Sequence, residues 1–505
     1  MRTMKTSIES LAIVLLALGA PAALAQQAPP GQASGQYVPQ AAPMASEQPF
    51  GLITPQGQIG YFDVLAGLAY ASNPLLSRGG GRQGGGLATA GFATDYQRTG
   101  MLSVNLLGDI DRLQYLQNTQ SGNFYGEFTG SAVFGEDTDP VQWELSDSFG
   151  EAMTDPFQAP TPESLQTINE VDTGPDFNLH FGLRDRLTLS GRYARTTYQR
   201  SPFDSQTFQG GLKFTHALSG AAYVGVEGSD ERTEYLQSAA LQQVERVPIP
   251  NFDVREASVL FDASSPRTTL RVQVGYNMLV FGAGNTNGAP LYQLQITRKI
   301  SPFSTVFLSG GSSYSMNGAS LGSPTAQIAL QTGNSLSAAL AIPQPYEQRS
   351  GSIGWTFRRN LTNLSLSGTV SQNIYQHIRN VAASAVNRDN YLAEGAALIV
   401  GQQLRPTLSI QLQANGYIVR YSQLNAETHR ETFGLTLTKT FVRLAISLYA
   451  ERIQQSGAPG RSNFLVGSYS DDQAGVYFTY SVLGPQTPGA SLNGIPGMAN
   501  FLGNY

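Results

Sequence analysis

The feature that most limits what this chain can fold into is a two-residue alternation of apolar and polar side chains, repeated from about residue 60 to residue 482. In PTLSIQLQANGY (406–417), Leu408, Ile410, Leu412 and Ala414 share one parity. Thr407, Ser409, Gln411, Gln413 and Asn415 share the other. Successive residues of a β-strand point to opposite faces, so one face is apolar and the other carries only hydroxyls and amides. The same pattern runs through 101–111, 186–196, 269–278, 363–373 and 432–441.

The connections alternate too. Short turns such as GLRDR (182–186), SSPR (264–267), ISPFS (300–304), NLTN (360–363), LRPT (404–407) and FVR (441–443) take turns with longer polar stretches at 236–250, 281–288, 317–345, 376–388, 422–429 and 455–470. An up-and-down meander whose two ends face different compartments produces this. The spacing predicts an all-β chain, a transmembrane antiparallel up-and-down β-barrel of about 18–20 strands over 58–482, with short periplasmic turns and longer extracellular loops.

A soluble sandwich also alternates, but such a domain is about 100 residues long. No linker interrupts the repeat between 60 and 480. Composition separates the two further. Charged residues make up 13% of the chain, and the polar parity holds Ser, Thr, Gln and Asn where a soluble surface would hold Lys and Glu. Lipid outside and water inside account for both faces, and only a closed sheet satisfies every backbone group in hydrocarbon. Tyr193, Tyr198, Tyr276, Tyr375, Tyr417 and Tyr449, near segment ends, are expected in interfacial girdles.

The N-terminus has Arg2 and Lys5, an apolar run from Leu11 to Leu18, and the small-residue site Ala23-Leu24-Ala25. This is the pattern of a secretory signal peptide over 1–25, cleaved near Ala25 on export to the bacterial outer membrane. Residues 26–57, rich in Pro, Gln and Ala, are expected to form a flexible periplasmic linker, and 483–505 a Pro/Gly-rich tail. The last strand carries Gln473, Gly475, Phe478 and Tyr480, similar to the assembly signal of bacterial outer-membrane barrels.

Nothing in the sequence selects a catalytic centre, a cofactor or a metal. The chain has no cysteine, and His180, His216, His377 and His429 stand on separate segments. GGGRQGGG (79–86) lacks the Lys-Ser/Thr ending of a phosphate loop. The net charge of −5 has no basic stripe, so nucleic acid is not an expected partner. The polar parity instead nominates a pore lining: Arg192, Glu227, Arg271, Gln273, Asn277, Arg358, Gln411, Gln413 and Asn415, with Glu231 on the same face. Its mixed charge shows no ring of single sign and suits neutral or weakly charged hydrophilic solutes such as sugars. The stretch 317–345 is long enough to fold inward as a constriction or to stand outside as a surface loop.

YASNPLL (70–76), the run TGPDFNLHFGLRDRLTLSGRYARTTYQRSPFDSQTFQGGLKFTHALS (173–219) and the repeated strand–turn pairs resemble the β-barrel porin family of the bacterial outer membrane associated with exopolysaccharide export. The resemblance implies a conduit for a secreted polysaccharide, linked to biofilm. Its expected partners are outer-membrane lipid, the barrel assembly machinery, the polysaccharide and periplasmic export components. A general diffusion porin and a non-conducting structural or adhesive barrel are the alternatives.

Overall fold

The computed structural model describes residues 58–73, 84–98, 100–116, 123–136, 138–153, 165–200, 204–236, 251–281, 286–315, 345–375, 390–422, 426–458 and 468–482. The expected signal peptide, linker and C-terminal tail, most of 79–86, nearly all of 317–345, and His377 lie outside them. The strands are β1 (Gln58–Ala71), β2 (Gly85–Arg98), β3 (Leu102–Tyr115), β4 (Asn123–Phe134), β5 (Val141–Met153), β6 (Leu165–Phe181) and β7 (Asp185–Tyr198). They continue as β8 (Ser205–Ser219), β9 (Ala222–Tyr235), β10 (Phe252–Ser264), β11 (Thr268–Phe281), β12 (Thr286–Ser301), β13 (Ser304–Ser315) and β14 (Tyr346–Arg359). The last six are β15 (Thr362–Tyr375), β16 (Tyr391–Arg405), β17 (Leu408–Tyr421), β18 (Ala426–Thr440), β19 (Leu444–Ala458) and β20 (Tyr469–Ser481).

Each strand pairs antiparallel with the next, and β20 returns to β1, with Ala71 opposite Gln473 and Asp63 opposite Ser481. The fold is therefore a closed, 20-stranded, transmembrane up-and-down barrel. Turns of two or three residues at 182–184, 220–221, 302–303, 360–361, 406–407 and 441–443 sit at one end, and the longer connections at the other. Two stretches expected as long connections are shorter: β12 starts at Thr286 and β18 at Ala426.

Register joins the apolar residues into continuous rows. Ile410 faces Leu437, Leu437 faces Leu448, Leu448 faces Val476, and Val476 faces Leu68 across the closure. Leu68, Leu412, Leu435, Leu448 and Phe478 are all exposed, although they are large and apolar. That is the surface lipid requires and water penalises. Toward the long-loop end the same outward parity turns polar, with Glu431, His429 and Glu427 on β18, Arg452 on β19 and Asp472 on β20. Fourteen-residue strands such as β17 rising ~3.4 Å per residue at a tilt of ~40° stand about 36 Å tall. An apolar band is about 25 Å tall, so the polar rows form a collar beyond it.

The tyrosines need correction. Tyr193 and Tyr276 are exposed on the outward parity, as interfacial residues would be. Tyr198, Tyr375, Tyr417 and Tyr449 are on the inward parity, and of these Tyr198, Tyr375 and Tyr449 are buried. At the long-loop end the apolar preference has crossed to the inside: Tyr417, Val419 and Tyr421 point inward while Arg420 points out and pairs with Glu394 and Glu427.

The seam between the first and last strands is held at three levels. At the long-loop end the Asn73 backbone N–H donates to Asp471 Oδ1 at 2.6 Å, Ser72 Oγ donates to the same oxygen at 3.0 Å, and Asn73 Nδ2 donates to the Ser470 carbonyl at 3.2 Å. Ser72 and Asn73 of the YASNPLL run thus clasp the closure. In mid-wall, Tyr477 lies on Gly67 and Tyr449 on Gly475, their directly opposed partners, and the two rings sit 5.0 Å apart. A Cβ on Gly67 would come 2.3 Å from the Tyr477 ring, and one on Gly475 2.5 Å from the Tyr449 ring. At the short-turn end Val482 N–H donates to the Phe62 carbonyl at 2.9 Å. Gly475 has a packing role in the terminal signal. Gln473 is inward beside Asp471, while Phe478 and Tyr480 face out.

Two substitution sets test this wall. Ile410→Arg puts a charge in the apolar row and should lower folding stability by about 2–4 kcal/mol near mid-membrane, read as urea-dependent folding into liposomes. Gln411→Arg, one residue away, should fold like the parent. Gly475→Val and Gly67→Val should each reduce the heat-modifiable folded fraction through the seam.

Candidate functional site

The candidate site is the inner wall, which is layered along the barrel axis. Nearest the short turns, β7, β8, β10 and β11 bring together Arg186, Lys213, Asp262 and Arg271. Lys213 is within electrostatic reach of the other three. Its ammonium also stands 4.0 Å from Glu227 on β9. Higher up, Glu231 of β9 is within reach of Glu256 of β10 and of Glu170 and Asp172 of β6. On this side of the wall Arg186, Lys213 and Arg271, with Asp262 among them, lie toward the short turns, and Glu170, Asp172, Glu231 and Glu256 lie toward the loops.

Between these layers sits Arg192. Gly174 and Pro175 interrupt the β6–β7 ladder, which pairs Thr173 with Tyr193 and resumes at Asp176 with Ser190. A proline gives no N–H to a ladder, and the strands close in here, since a Cβ on Gly174 would fall 1.9 Å from the Gly191 carbonyl oxygen. The Arg192 guanidinium fills the break. Nη1 donates to the carbonyls of Pro175 and Gly191, both at 3.1 Å. The fork grips Asp176 through Nη1 at 2.8 Å and Nη2 at 2.9 Å. Nη2 also donates to Glu144 at 2.8 Å, and Nε lies 3.8 Å from Asp172. The side chain is 2% exposed. The TGPD run and Arg192 thus form one buried clamp. Beside it Thr188 Oγ1 donates to Asn178, and Asn178 donates to Gln142.

The other nominated residues also lie on inward positions, but several are bound into the wall. Gln273 Nε2 donates to Ser258 Oγ at 2.9 Å. Asn277 is fully buried, and its amide, oriented to satisfy both partners, donates to the Ala289 carbonyl at 2.7 Å and accepts from Tyr314 N–H at 3.1 Å. Arg358 stands at the short-turn end of β14 opposite Asn363. Gln411, Gln413 and Asn415 line β17, on a different part of the wall from β7–β11. Of the described histidines, His216 pairs with Asp185 at 2.7 Å and His429 with Glu427 at 2.5 Å, on separate strands.

The outermost layer is aromatic and was missed by sequence reasoning. Tyr346, Tyr375, Tyr391 and Tyr421 form one inward arc on β14–β17, with successive ring centroids 5.2, 6.4 and 6.0 Å apart. Tyr235, Phe252 and Phe281 form a second on β9–β11. The available signal was parity: Tyr375 and Tyr421 share the inward set of their strands with Asn373 and Asn415.

No family model matches the chain, and no curated protein matches it. Solved structures similar to it include the siderophore receptor PirA from Pseudomonas aeruginosa (12% identity, 83% of this chain and 80% of that chain covered, TM-score 0.38). They also include the ferric citrate transporter FecA (11% identity, 83% and 78% covered, TM-score 0.39). The FrpB iron transporter from Neisseria meningitidis is a third (10% identity, 83% and 82% covered, TM-score 0.39). Similarity at this level carries no argument about ligand or mechanism.

Arg192→Met leaves Glu144 and Asp176 facing each other without their cation. Removing one partner of a buried ion cluster costs about 3–5 kcal/mol, so this variant should unfold at distinctly lower urea. Arg192→Lys should rescue it only in part, because an ammonium cannot make the two-pronged contact with Asp176. Gln411→Ala, outside the clamp, should unfold like the parent.

Proposed function

We propose that this chain is an outer-membrane barrel forming a hydrophilic channel, and that its cargo is a secreted exopolysaccharide. The observation that carries the channel reading is the inner wall itself: a closed ring of 20 strands whose inward positions hold hydroxyls, amides and charges at mid-height. Barrels of 16–18 strands already leave an aqueous passage. The short turns are assigned to the periplasm and the polar collar and long connections to the outside, following the usual asymmetry of such barrels.

Two features favour a polymer over free diffusion of small solutes. The barrel has more strands than those passages need, and inward aromatic clusters stand at its long-loop end. A conduit used intermittently for a large hydrated chain needs both width and a seal. The hydroxyl- and amide-rich wall suits sugar hydroxyls, and the resemblance of 70–76 and 173–219 to the exopolysaccharide-associated barrels supports the same cargo. On this reading the barrel assembly machinery inserts the protein, periplasmic export components deliver the polymer, and the barrel itself performs no chemistry.

Two measurements separate the parts of the proposal. Purified, folded protein in planar bilayers should conduct ions; silence in folded protein would remove the channel. A strain lacking the gene should lose extracellular polysaccharide; an unchanged amount would remove the cargo while leaving the channel standing.

A further inference from the structure

The short-turn end repeats one motif, an exposed apolar residue beside an arginine. Leu183 and Arg184 share the β6–β7 turn, and Val442 and Arg443 the β18–β19 turn. Arg298 and Ile300 precede the β12–β13 turn, Leu404 and Arg405 the β16–β17 turn, and Arg359 and Leu361 flank Asn360 between β14 and β15. The β10–β11 turn repeats the arginine alone, as Arg267. All of these side chains are exposed, Leu183 fully.

The backbone at these turns is tied into the wall. The carbonyls of Arg184, Arg267 and Arg443 accept from the N–H groups of Ala217, Lys299 and Ser481, each at 2.8 Å. The guanidinium groups are not tied. None of the six arginines has an ion-pair partner among the described residues, and Arg359 lies over the Phe303 ring of the next turn, 5.7 Å from its centroid. The carboxylates nearby are engaged elsewhere, Asp185 with His216 and Asp262 with Tyr223. The collar at the long-loop end is built differently. There Arg420 pairs with Glu394 and Glu427, Arg255 with Asp230 and Asp253, and Arg452 with Asp472.

Height decides what the unpaired arginines meet. Outward on β17, Leu408, Ile410, Leu412, Ala414 and Ile418 are apolar, and the first charge is Arg420. The rise from Leu408 to Ile418, at ~3.4 Å per residue and a tilt of ~40°, is about 26 Å, which is the whole apolar band. The band therefore starts at the turns, and Leu404 and Arg405 stand at its edge. Neighbouring short turns are two strands apart, on the order of 10 Å along the rim, so one small ligand does not bridge them. The motif covers a crescent and not a ring: at the β4–β5 turn Glu136 and Asp139 stand where the other turns have arginine.

We propose that this crescent binds anionic phospholipid headgroups of the adjoining leaflet, each turn sinking its apolar side chain among the acyl chains and setting its guanidinium on a phosphate. Paired N–H donors match phosphate oxygens, and the long stem lets the charge reach a headgroup from the edge of the apolar band. The crescent is continuous with the lipid-facing wall, which favours a lipid over a protein as occupant. A zwitterionic headgroup would bring its own cation against the arginines, so the selection is for lipids of net negative charge. The surface needs only the barrel in its bilayer and stands whether or not the lumen conducts.

The chain's two tryptophans report its two sides. Trp355 faces outward under the crescent: Arg298 is opposite Val306, Val306 is opposite Trp355, and Arg359 lies further along the same face of β14. Trp143 faces outward beside the acidic turn, near the start of β5. Full-length Trp143→Phe and Trp355→Phe proteins, folded into vesicles of phosphatidylcholine with phosphatidylglycerol, each keep one reporter. Phosphatidylglycerol brominated on its acyl chains should quench Trp355 with a preference of about fivefold or more over brominated phosphatidylcholine, the scale set by one basic side chain near an anionic surface. Trp143 should show no such preference. Arg298→Gln with Arg359→Gln should remove the preference at Trp355, and Arg298→Lys with Arg359→Lys should keep most of it. Heat-modifiable migration identifies folded protein in each case. Equal quenching of Trp355 by the two lipids, a preference that survives the paired Gln substitutions, or an equal preference at Trp143 would overturn the proposal.

Discussion

Hydrocarbon offers no hydrogen bonds, and that single fact organises this molecule. A chain crossing the bilayer must pair every backbone group with itself, and for strands the only solution is a sheet without edges. Everything else follows from where that closure is easy and where it is not. Most of the wall is paired neighbour to neighbour, with side chains sorted by parity to lipid or lumen. The seam between β1 and β20 has no turn to fix its register, and there the chain adds side-chain devices: a clasp from Ser72 and Asn73 to Asp471, and two tyrosine rings seated on Gly67 and Gly475. Proline marks two of the breaks in the ladder. At Pro175 a buried arginine fills the break; short of Pro290 the β12–β13 pairing ends, at Tyr292 opposite Ser312.

The inner face is graded as well as polar. On the side built by β6–β11, Arg186, Lys213 and Arg271 stand toward the short turns and Glu170, Glu231 and Glu256 above them, and inward aromatics stand at the long-loop end. Each layer is made by several strands contributing one side chain at matching height, so the grading belongs to the register and not to any one segment. Three different chemistries thus follow one another along this part of the wall.

The parity rule explains both what was legible in the sequence and what was not. Where one face meets lipid, as at Leu408–Ala414 or Leu270–Met278, alternation is strong, and the strands and their inward sets could be read directly. Above the lipid band that contrast disappears. The first residues of β18 put Glu427, His429 and Glu431 outward and Thr428, Arg430 and Thr432 inward, so both parities are polar and the segment reads as a loop. On β17 the contrast reverses, with Tyr417 and Tyr421 inward, and the aromatic character of Tyr417 suggested an interfacial girdle where parity already said lumen. Arg192 was assigned to the correct face but not to its partners, because Glu144 and Asp176 lie on other strands and only register brings them to it.

The clasp at Asp471 also bears on how the barrel is made. Its partners Ser72 and Asn73 are separated from it by nearly the whole chain, 399 and 398 positions. Pairings between residues so distant in sequence carry the largest loop-closure entropy and form late. Hairpins from β2 to β19 can each assemble from local contacts, while the two outer strands stay as open edges until the final segment has been delivered. The closing step of folding is thus placed at the pairing of β20 with β1, and without it the sheet keeps two open edges.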